Sequence, residues 1–341
     1  MKAFILHNIG SFDNLKIKTL AIPKPGKNEV TVKVDFCGLN HLDLLIIAGK
    51  RPVSGKFPLI LGSEFTGKIA DPGKSQKFAI GDTVAVYPWT FCGKCPQCRS
   101  DRESICDRGG TYGRTKNGGL AEFAAVDEKN LVRIPHKLDS GMFCASVLSA
   151  ITAKHMLDRI GIKNGSTVLV NGATGGVGTA AIQLLKRKKC QVICSTSKPE
   201  KEIKLKHLGA DLTVNTKHMV NSLKEKFPEG IEYIVDAIGG KIWSESVQLL
   251  TKNGNMVFCA TTLEENGQIN IGQAFTRQIN LMGSYGGYLS DLREIIKFVR
   301  TGAFNPIIDS VYPLDNTKEA LLKLLNQKVF GKILIKVNGS Y

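Results

Sequence analysis

The stretch Asn171-Gly172-Ala173-Thr174-Gly175-Gly176-Val177-Gly178 decides the fold of this chain. It follows an apolar segment at 167–170 and precedes a segment with helical spacing at 179–188, so it lies between a predicted strand and a predicted helix. Gly175 lets a pyrophosphate approach the backbone, Gly178 lets helix and strand pack closely, and free amides at the helix start face the anion. Residues 173–178 are therefore predicted to bind a dinucleotide.

Outside this turn, predicted strands and helices alternate. The strands are predicted at 167–170, 191–195, 212–214, 231–236, 255–260 and 279–282, and the helices at 179–188, 198–208, 219–227 and 241–250. This alternation predicts an α/β domain at 146–301 with a doubly wound parallel sheet of six strands. Residues 1–145 show short strands and many turns, which predict a mainly β domain. We expect the extended segments after residue 302 to rejoin that β domain.

The end of the second predicted strand indicates which dinucleotide binds. An acidic residue there would accept hydrogen bonds from the ribose 2′-hydroxyl and repel a 2′-phosphate. The chain instead has Ser195-Thr196-Ser197-Lys198, followed by Lys201. Hydroxyl and cationic groups favour NADPH over NADH, with Ser197 and Lys201 as candidate contacts. The alternative interpretation is that Lys198 and Lys201 are solvent-exposed residues at the start of a helix and bind no cofactor.

A cluster of cysteines predicts a metal site. Cys92, Cys95, Cys98 and Cys106 lie within one short segment. Zn²⁺ closes a tetrahedral shell with four thiolates and can order irregular backbone around itself. We therefore expect one structural Zn²⁺ per chain, in a lobe at about residues 88–112. The alternatives are a disulfide pair or four unrelated thiols.

Composition limits the classes of function. The chain has 341 residues, 43% of them hydrophobic, and a net charge of +16. No apolar run is long enough to span a bilayer, which argues against a membrane protein, and nine cysteines without a disulfide pattern suit the cytoplasm. The positive charge favours a small, anionic substrate. The lysines are dispersed and lack interleaved aromatic residues, which argues against nucleic acid as a partner.

Several segments together resemble the medium-chain dehydrogenase/reductase superfamily, which contains the zinc alcohol dehydrogenases. Besides the turn and the cysteines, the matching segments are 38–43 (Gly-Leu-Asn-His-Leu-Asp), 58–64 (Pro-Leu-Ile-Leu-Gly-Ser-Glu), 81–84 (Gly-Asp-Thr-Val), 118–122 (Gly-Gly-Leu-Ala-Glu), 208–211 (Leu-Gly-Ala-Asp) and 236–240 (Asp-Ala-Ile-Gly-Gly). The resemblance covers essentially the whole chain. It implies a GroES-like catalytic domain at 1–145 and 302–341, and a Rossmann domain at 146–301.

The chain departs from that family at the catalytic metal. Where the family's zinc alcohol dehydrogenases have Cys, His and a second Cys or Asp, this chain has Asn40, Ser63 and Ser149. Amide and hydroxyl groups are poor zinc ligands. The chain is thus more similar to the zinc-free quinone oxidoreductase and enoyl reductase branch, whose Asn contacts the nicotinamide ribose. A rebuilt zinc shell stays open as an alternative, with the candidate ligands Cys37, His41, Asp43 and Glu64.

Loss of the metal implies a different reaction. Without a Lewis acid an unactivated alcohol is difficult to oxidise, whereas hydride transfer from NADPH to an enone, quinone or enoyl thioester needs only donors to the resulting enolate oxygen. Candidate donors are Asn40, Ser63 and Tyr285. We expect Asn40 and Thr152 to orient the nicotinamide, and Ser284 to lie at the cofactor.

Two other functions remain open on the sequence. One is an alcohol or aldehyde dehydrogenase with the rebuilt zinc site. The other is a binding protein that uses a nucleotide fold to hold RNA or a partner. The resemblance also implies a homodimer or a dimer of dimers, in which the predicted edge strand at 280–284 pairs with its symmetry mate.

Overall fold

The computed structural model describes residues 1–262 and 264–338, which divide into two compact units. The first unit is Met1–Leu148 together with the chain from Tyr288 onward, and the second is Ser149–Gly287. This division differs from the sequence prediction at its second boundary. The helix Leu289–Arg300, assigned by the sequence to the nucleotide domain, belongs to the first unit because it packs on the helix Ser140–Val147. Its first amide, at Leu289, also donates to Glu103 Oε2 at 3.4 Å.

Residues 1–148 form mainly short strands, as the sequence predicts. The strands are β1 (Lys2–Leu6), β2 (Leu15–Thr19), β3 (Glu29–Gly38), β4 (Leu59–Ile60), β5 (Glu64–Asp71), β6 (Thr83–Val86), β7 (Trp89–Thr90), β8 (Gly110–Thr111), β9 (Phe123–Asp127) and β10 (Leu131–Arg133). The helices are α1 (His41–Ile47), α2 (Pro96–Arg99) and α3 (Ser140–Val147). Strand β3 is central, because Val30, Val32 and Val34 are fully buried in the core and it pairs with both β5 and β9.

The second unit has the predicted parallel sheet. Its helices are α4 (Ser149–Arg159), α5 (Gly176–Arg187), α6 (Glu202–Leu208), α7 (Met219–Lys226), α8 (Gly240–Val247) and α9 (Ile271–Thr276). Its strands are β11 (Thr167–Asn171), β12 (Gln191–Thr196), β13 (Leu212–Asn215), β14 (Ile231–Asp236), β15 (Leu250–Phe258) and β16 (Asn280–Gly283). The order is β13-β12-β11-β14-β15-β16, with every pairing parallel. The six-stranded Rossmann sheet is confirmed, and β16 lies at its edge.

The last part of the chain completes the first unit. Its elements are α10 (Leu289–Arg300), β17 (Ile308–Pro313), α11 (Thr317–Leu325) and β18 (Lys332–Lys336). Strand β18 pairs antiparallel with β3, with Leu334 opposite Gly38, so the predicted return to the β domain is confirmed. On its other side Gly38 pairs with Glu64 of β5. The end of β3 therefore lies between the start of β5 and the middle of β18.

Seven of the helices in the described residues were not predicted from the sequence, namely α1, α2, α3, α4, α9, α10 and α11, and α11 lies in the segment after residue 302 that was expected to be extended. Three of them show why. Helix α3 is buried along most of its length, and a helix without an exposed face shows no helical periodicity. Helix α1 is short, and α9 follows an irregular segment. Strand β15 also begins at Leu250, earlier than predicted, with an irregular register against β14. Among the described residues, no helix has the length and apolarity needed to cross a bilayer.

Candidate active site and metal cluster

The four predicted metal ligands form one cluster. Their ligand atoms all lie within 4.8 Å of one another. The Sγ atom of Cys95 lies 3.4 Å from that of Cys98 and 3.8 Å from that of Cys106, and the Sγ atoms of Cys92 and Cys98 are 4.0 Å apart. A tetrahedral zinc with Zn–S bonds of about 2.3 Å requires sulfur atoms about 3.8 Å apart. The cluster therefore has the dimensions of a Cys₄ zinc site.

The backbone around this cluster stabilises thiolates unequally. Hydrogen bonds from the amides of Lys94 and Cys95 lower the pKa of Cys92 to about 6, and the amide of Cys98 is the main cause of a lowered pKa at Cys95. Desolvation raises the pKa of Cys98 to about 12. Four thiolates at this distance repel one another, so a cation must compensate their charge. The donor set and its spacing fit Zn²⁺.

The predicted dinucleotide turn has the required shape. Gly172 has φ of +72°, and a Cβ at Gly178 would collide with the carbonyl oxygen of Gly172, so α5 packs on the end of β11 only with glycine there. A Cβ at Gly175 would meet no protein atom closer than 3.6 Å, so this side of the turn is open to a ligand. The amides at the start of α5 are donors suited to a pyrophosphate.

The neighbouring strand end carries hydroxyl groups. Ser195 donates to Asn171 Oδ1 at 2.7 Å, within a buried network in which Asn171 also donates to Asp236 and Ser246. The hydroxyl of Ser195 is thus already hydrogen-bonded within the protein. The amide of Lys198 donates to Thr196 Oγ1 at 3.1 Å. These contacts close the turn after β12, and no carboxylate stands at the end of that strand.

Asn40 lies in a buried group of opposite charges, which we call the Asn40 cluster: Asn40, Glu64, Lys332 and the carbonyl group of Leu39. Lys332 Nζ lies 2.6 Å from Glu64 Oε2, 2.7 Å from Asn40 Oδ1 and 2.8 Å from Leu39 O. The side chain of Lys332 is 5% exposed and that of Glu64 is fully buried. A Cβ at Gly38 would lie 2.6 Å from Glu64 Oε2, so the strand end accommodates this carboxylate because residue 38 is glycine.

The remaining polar atoms of the cluster also have partners. Asn40 Nδ2 lies 3.1 Å from Glu64 Oε2 and 3.2 Å from Gly38 O. The second carboxylate oxygen, Glu64 Oε1, accepts from the amide of Leu148 at 2.7 Å. A buried ion pair is stable only when its remaining donors and acceptors are satisfied, and these contacts satisfy them.

A second buried carboxylate supports the same segment. Asp43 accepts from the amide of Asn40 at 2.8 Å and from that of Gly62 at 3.2 Å. Desolvation raises the pKa of Asp43 to about 6, although these two amides and Lys332 act in the opposite direction. Asp43 therefore keeps its proton to a higher pH than an exposed aspartate does.

Ser63 is held beside this cluster without a partner of its own. Ser63 is 1% exposed, and its Oγ has no hydrogen-bond partner among residues 1–262 and 264–338. In the second unit, Ser284 is 8% exposed, and its Oγ likewise has no hydrogen-bond partner among the described residues. An unpaired buried hydroxyl costs about 1–3 kcal/mol, which a ligand contact would recover.

The ligands suggested for a rebuilt zinc site do not form a compact cluster. Within the described ranges, the cysteine quartet is the only group of three or more His, Cys, Asp or Glu ligands with their atoms within 4.8 Å of one another. Burial also raises the pKa of Cys37 far above its usual value, which keeps that thiol neutral. Cys37, His41, Asp43 and Glu64 are therefore not arranged around a common point.

The other predicted site residues lie in the second unit. Thr152 is buried in α4, Ser197 is exposed after β12, and Lys201 is partly buried before α6. Tyr285 follows β16 and is 53% exposed. The structure thus brings Asn40 together with Glu64 in the first unit, while Tyr285 belongs to the unit that carries the dinucleotide turn.

Sequence reasoning missed Lys332. Lys332 follows Gly331 and precedes the apolar run Ile-Leu-Ile, a pattern that predicts a strand with a lysine at its solvated end. The available signal was the charge balance: Glu64 follows an apolar segment, and a buried carboxylate requires a cation.

Sequence comparison agrees with this fold. Residues 26–136 match the family described as alcohol dehydrogenase GroES-like domain, and residues 176–301 match zinc-binding dehydrogenase. The chain belongs to the medium-chain dehydrogenase/reductase family. It is therefore an oxidoreductase of the zinc-containing alcohol dehydrogenase-like type.

Relatives of this medium-chain dehydrogenase carry two kinds of name. An alcohol dehydrogenase of Geobacillus stearothermophilus is 31% identical, over 95% of this chain and 96% of that protein. An acryloyl-coenzyme A reductase of Sulfurisphaera tokodaii is 29% identical, over 98% of this chain and 100% of that protein. The solved structure of an NAD-dependent alcohol dehydrogenase has a TM-score of 0.93 at 29% identity, covering 99% of this chain and 100% of that one.

Proposed function

We propose that this chain is an NADPH-dependent reductase of activated carbon–carbon double bonds, of the enoyl-thioester or enone type, and that it works without a catalytic zinc. The proposal includes one structural Zn²⁺ in the cysteine quartet. The observation that carries it is the ammonium of Lys332, which contacts Asn40 and Glu64 at the motif where zinc dehydrogenases of this family bind their metal. A cation already present there disfavours binding of Zn²⁺.

The cofactor proposal rests on the second unit. The dinucleotide turn supplies the pyrophosphate site, and Ser197 and Lys201 supply polar groups beyond β12 for a 2′-phosphate. The absence of an acidic residue in Ser195-Thr196-Ser197 removes the repulsion that selects against NADPH. Catalytic efficiency, kcat/KM, should therefore be higher with NADPH than with NADH, and the difference should shrink in Lys201→Ala.

A nicotinamide cofactor held at residues 173–178 would supply a hydride for the β-carbon of the acceptor, and the α-carbon would take its proton from water. The protein must stabilise the negative charge that develops on the carbonyl oxygen. Ser63 is a suitable donor because its hydroxyl has no partner among the residues that the structure describes. Tyr285, an exposed phenol, is the second candidate. The net charge of +16 favours an anionic substrate such as a coenzyme A thioester, and the reductase name of one relative supports this substrate class.

The first test combines metal content with substrate class. Protein purified without added zinc or chelator should contain about one zinc per chain, and should oxidise NADPH with enones or enoyl thioesters. It should not reduce NADP⁺ with simple alcohols. Two zinc ions per chain, together with alcohol oxidation, would overturn the proposal.

The second candidate function is an alcohol or aldehyde dehydrogenase with a rebuilt catalytic zinc site. The names of several relatives favour it, including the alcohol dehydrogenase that is 31% identical. It requires Cys37, His41, Asp43 and Glu64 to rearrange around a metal, and Lys332 to move away from Glu64. The same metal and substrate assays separate it from the first proposal.

We also propose that the protein forms a homodimer through the edge of its second unit. Strand β16 ends the parallel sheet, and two nearby apolar residues of α9, Ile271 and Phe275, are 74% and 70% exposed. An exposed sheet edge with apolar neighbours is suited to pairing with a second copy. Light scattering of the parent and of Phe275→Asp tests this, since the variant should be monomeric.

A further inference from the structure

The residues just before the last cysteine of the quartet are buried in the first unit. They form a single short turn, Glu103–Ile105, which ends at the predicted ligand Cys106. The amide of Cys106 donates to the carbonyl oxygen of Glu103 at 3.1 Å. Glu103 and Ser104 are buried, whereas Ile105 is 43% exposed. A metal ion bound to Cys106 would therefore also fix the turn that carries Glu103.

The carboxylate of Glu103 contacts the start of α10. Its Oε2 accepts from the amide of Leu289, the first residue of that helix, at 3.4 Å. The first amides of a helix have no partner within the helix, so an acceptor from outside stabilises its first turn. The preceding amide, at Tyr288, donates to Asp291 of the same helix at 2.7 Å. The cysteine segment thus supplies one of the acceptors that hold the start of α10.

Tyr87 lies close to both of these elements. It is fully buried, and its ring centroid lies 5.3 Å from that of Trp89. Burial raises the pKa of the Tyr87 hydroxyl, and the nearby carboxylates of Glu103 and Asp291 raise it further. Glu103 belongs to the cysteine segment, and Asp291 belongs to the first turn of α10. Because protein interiors are close-packed, a displacement of one of these elements is felt by the other.

The cysteine segment has little regular structure of its own. Within the described residues 92–106, its elements are α2, which has four residues, and the turn at 103–105. Four thiolates without a cation repel one another. The free energy of zinc binding therefore contributes directly to the ordering of this segment. Removal of the ion should loosen the turn that carries Glu103.

We propose that metal binding at the quartet is linked to the docking of the first turn of α10, and that Glu103 carries the link. With Zn²⁺ bound, Glu103 is held where it accepts from Leu289. Without the ion this acceptor is no longer fixed, and the start of α10 loosens. The chain re-enters the first unit at Tyr288, directly before α10, so metal content controls how firmly the chain is held at that point. The inference rests on the structural Zn²⁺ of the proposed function and not on the reductase activity.

Hydrogen–deuterium exchange of the full chain tests this link. Exchange is measured for peptides that cover α10, first with zinc bound and then after a chelator has removed it. Amides in the first turn of α10 should exchange about three- to tenfold faster without zinc, which is the usual worth of one hydrogen bond. Peptides that cover α11, in the same unit, are the internal control and should keep their exchange rates.

Variants of Glu103 separate the link from general loss of structure. Glu103→Ala should keep about one zinc per chain, yet its α10 should exchange as fast as that of the zinc-free parent. Removal of zinc from this variant should have no further effect on α10, because the two changes act through one contact. Glu103→Gln keeps a carbonyl acceptor and should restore the slow exchange of the zinc-bound parent.

The same link can be measured from the side of the helix, because coupling between two sites is reciprocal. Leu292→Ala weakens the docking of α10 from a position far from the quartet in the sequence. Its zinc affinity, measured by competition with a chelating dye, should fall by about three- to tenfold. Leu321→Ala is the matched control, since both leucines are fully buried and Leu321 lies in α11. It should keep the parent affinity.

The outcomes distinguish the inference from the proposed function. Equal exchange of α10 with and without zinc, or parent-like exchange in zinc-bound Glu103→Ala, overturns the link even if enone turnover is normal. A parent that binds no zinc at the quartet overturns the proposed zinc site, and the inference with it. Zinc-dependent exchange of α10 that is lost in Glu103→Ala and recovered in Glu103→Gln supports the link, also in a protein that does not reduce enones.

Discussion

The cysteine quartet and the Asn40 cluster, both in the first unit, differ in the source of their positive charge. The quartet comes from one short segment, 92–106, and offers four sulfur ligands but no cation of its own. The Asn40 cluster joins residues from three distant parts of the chain, and its cation is Lys332. With the proposed structural Zn²⁺, the first site depends on an ion from solution, whereas the second depends only on correct folding. Their responses to metal removal, mutation and pH should therefore differ.

The largest effect is expected at the quartet. Cys95→Ser removes one of four thiolates, so zinc content should fall from about one per chain to near zero. Structural zinc sites contribute about 10 kcal/mol or more of binding free energy, and the lobe should lose its protection from proteolysis without it. Metal analysis and limited proteolysis measure both effects.

The matched control for this prediction is Cys190→Ser. Cys190 is a free buried cysteine outside the quartet, and its variant should keep its zinc. Full zinc content in Cys95→Ser would show that the metal is bound elsewhere. A chelator should reproduce the effect of Cys95→Ser and leave the Asn40 cluster intact.

The next effect concerns the internal cation. Lys332→Met leaves the carboxylate of Glu64 buried without its partner, so the free energy of unfolding should fall by about 3–5 kcal/mol. The double variant Glu64→Leu/Lys332→Met removes both charges and should recover most of that loss. Denaturant titration measures each value. A loss below about 1 kcal/mol in the single variant, typical of an exposed pair such as Lys2–Asp315, would contradict the burial of this ion pair.

The effect of pH should differ in sign between the quartet and Asp43, the buried carboxylate that supports the Asn40 segment. The native pKa of Asp43, about 6, lies above its ordinary value of 3.8. Between these values the native protein holds a proton that the unfolded chain has released. The contribution of Asp43 to stability is therefore greatest in acid and falls as the pH rises towards 6, by about 3 kcal/mol in total. At the quartet, acid instead protonates the zinc ligands and weakens the site.

Asp43→Asn isolates the first of these responses. The variant cannot titrate at this position, so its stability relative to the parent should rise by up to about 3 kcal/mol between pH 4 and pH 7. Unfolding of both proteins in the same zinc-containing buffers measures this difference, since the contribution of the quartet cancels. A difference that is independent of pH would show that Asp43 does not titrate in this range.

The smallest stability effect is expected for Ser63→Ala. Its hydroxyl makes no hydrogen bond within the described part of the chain, so removing it should change the free energy of unfolding by about 1 kcal/mol or less, in the stabilising direction. Turnover with an enone should nevertheless fall, because the proposed donor to the enolate is lost. Ser104→Ala is the matched control, as Ser104 is another buried, unpaired serine, and it should keep full turnover. Equal turnover in both variants would remove Ser63 from the mechanism.

The sequence predicted the features whose information is local. The dinucleotide turn and the cysteine quartet each lie within one short segment, and their spacing alone specifies their geometry. The alternation of strands and helices in the second unit could likewise be predicted, because a helix with one exposed face shows a helical periodicity of polar and apolar residues. Helix α3 was missed because its residues are mostly buried, so it has no polar face to reveal its period.

The Asn40 cluster could be predicted only in part. Asn40 and Glu64 belong to recognisable motifs, but their partner Lys332 is separated from Asn40 by 292 positions. Their proximity follows from the pairing of β18 with β3 and of β3 with β5. The direction of the Asn40 amide follows in turn from that proximity. No pattern within a single segment contains this information.

Glu64 and Glu103 also explain how the first unit accommodates an insertion. The chain leaves this unit after Leu148 and returns at Tyr288. Near each point a buried glutamate accepts a hydrogen bond from a backbone amide. The amide of Leu148 donates to Glu64, and that of Leu289 donates to Glu103. The entropy lost on closing a loop grows only with the logarithm of its length. Two fixed ends therefore matter more than the size of what lies between them. The second unit can be regarded as an exchangeable domain. An exchange of this domain should keep the two backbone contacts that Glu64 and Glu103 accept at its ends.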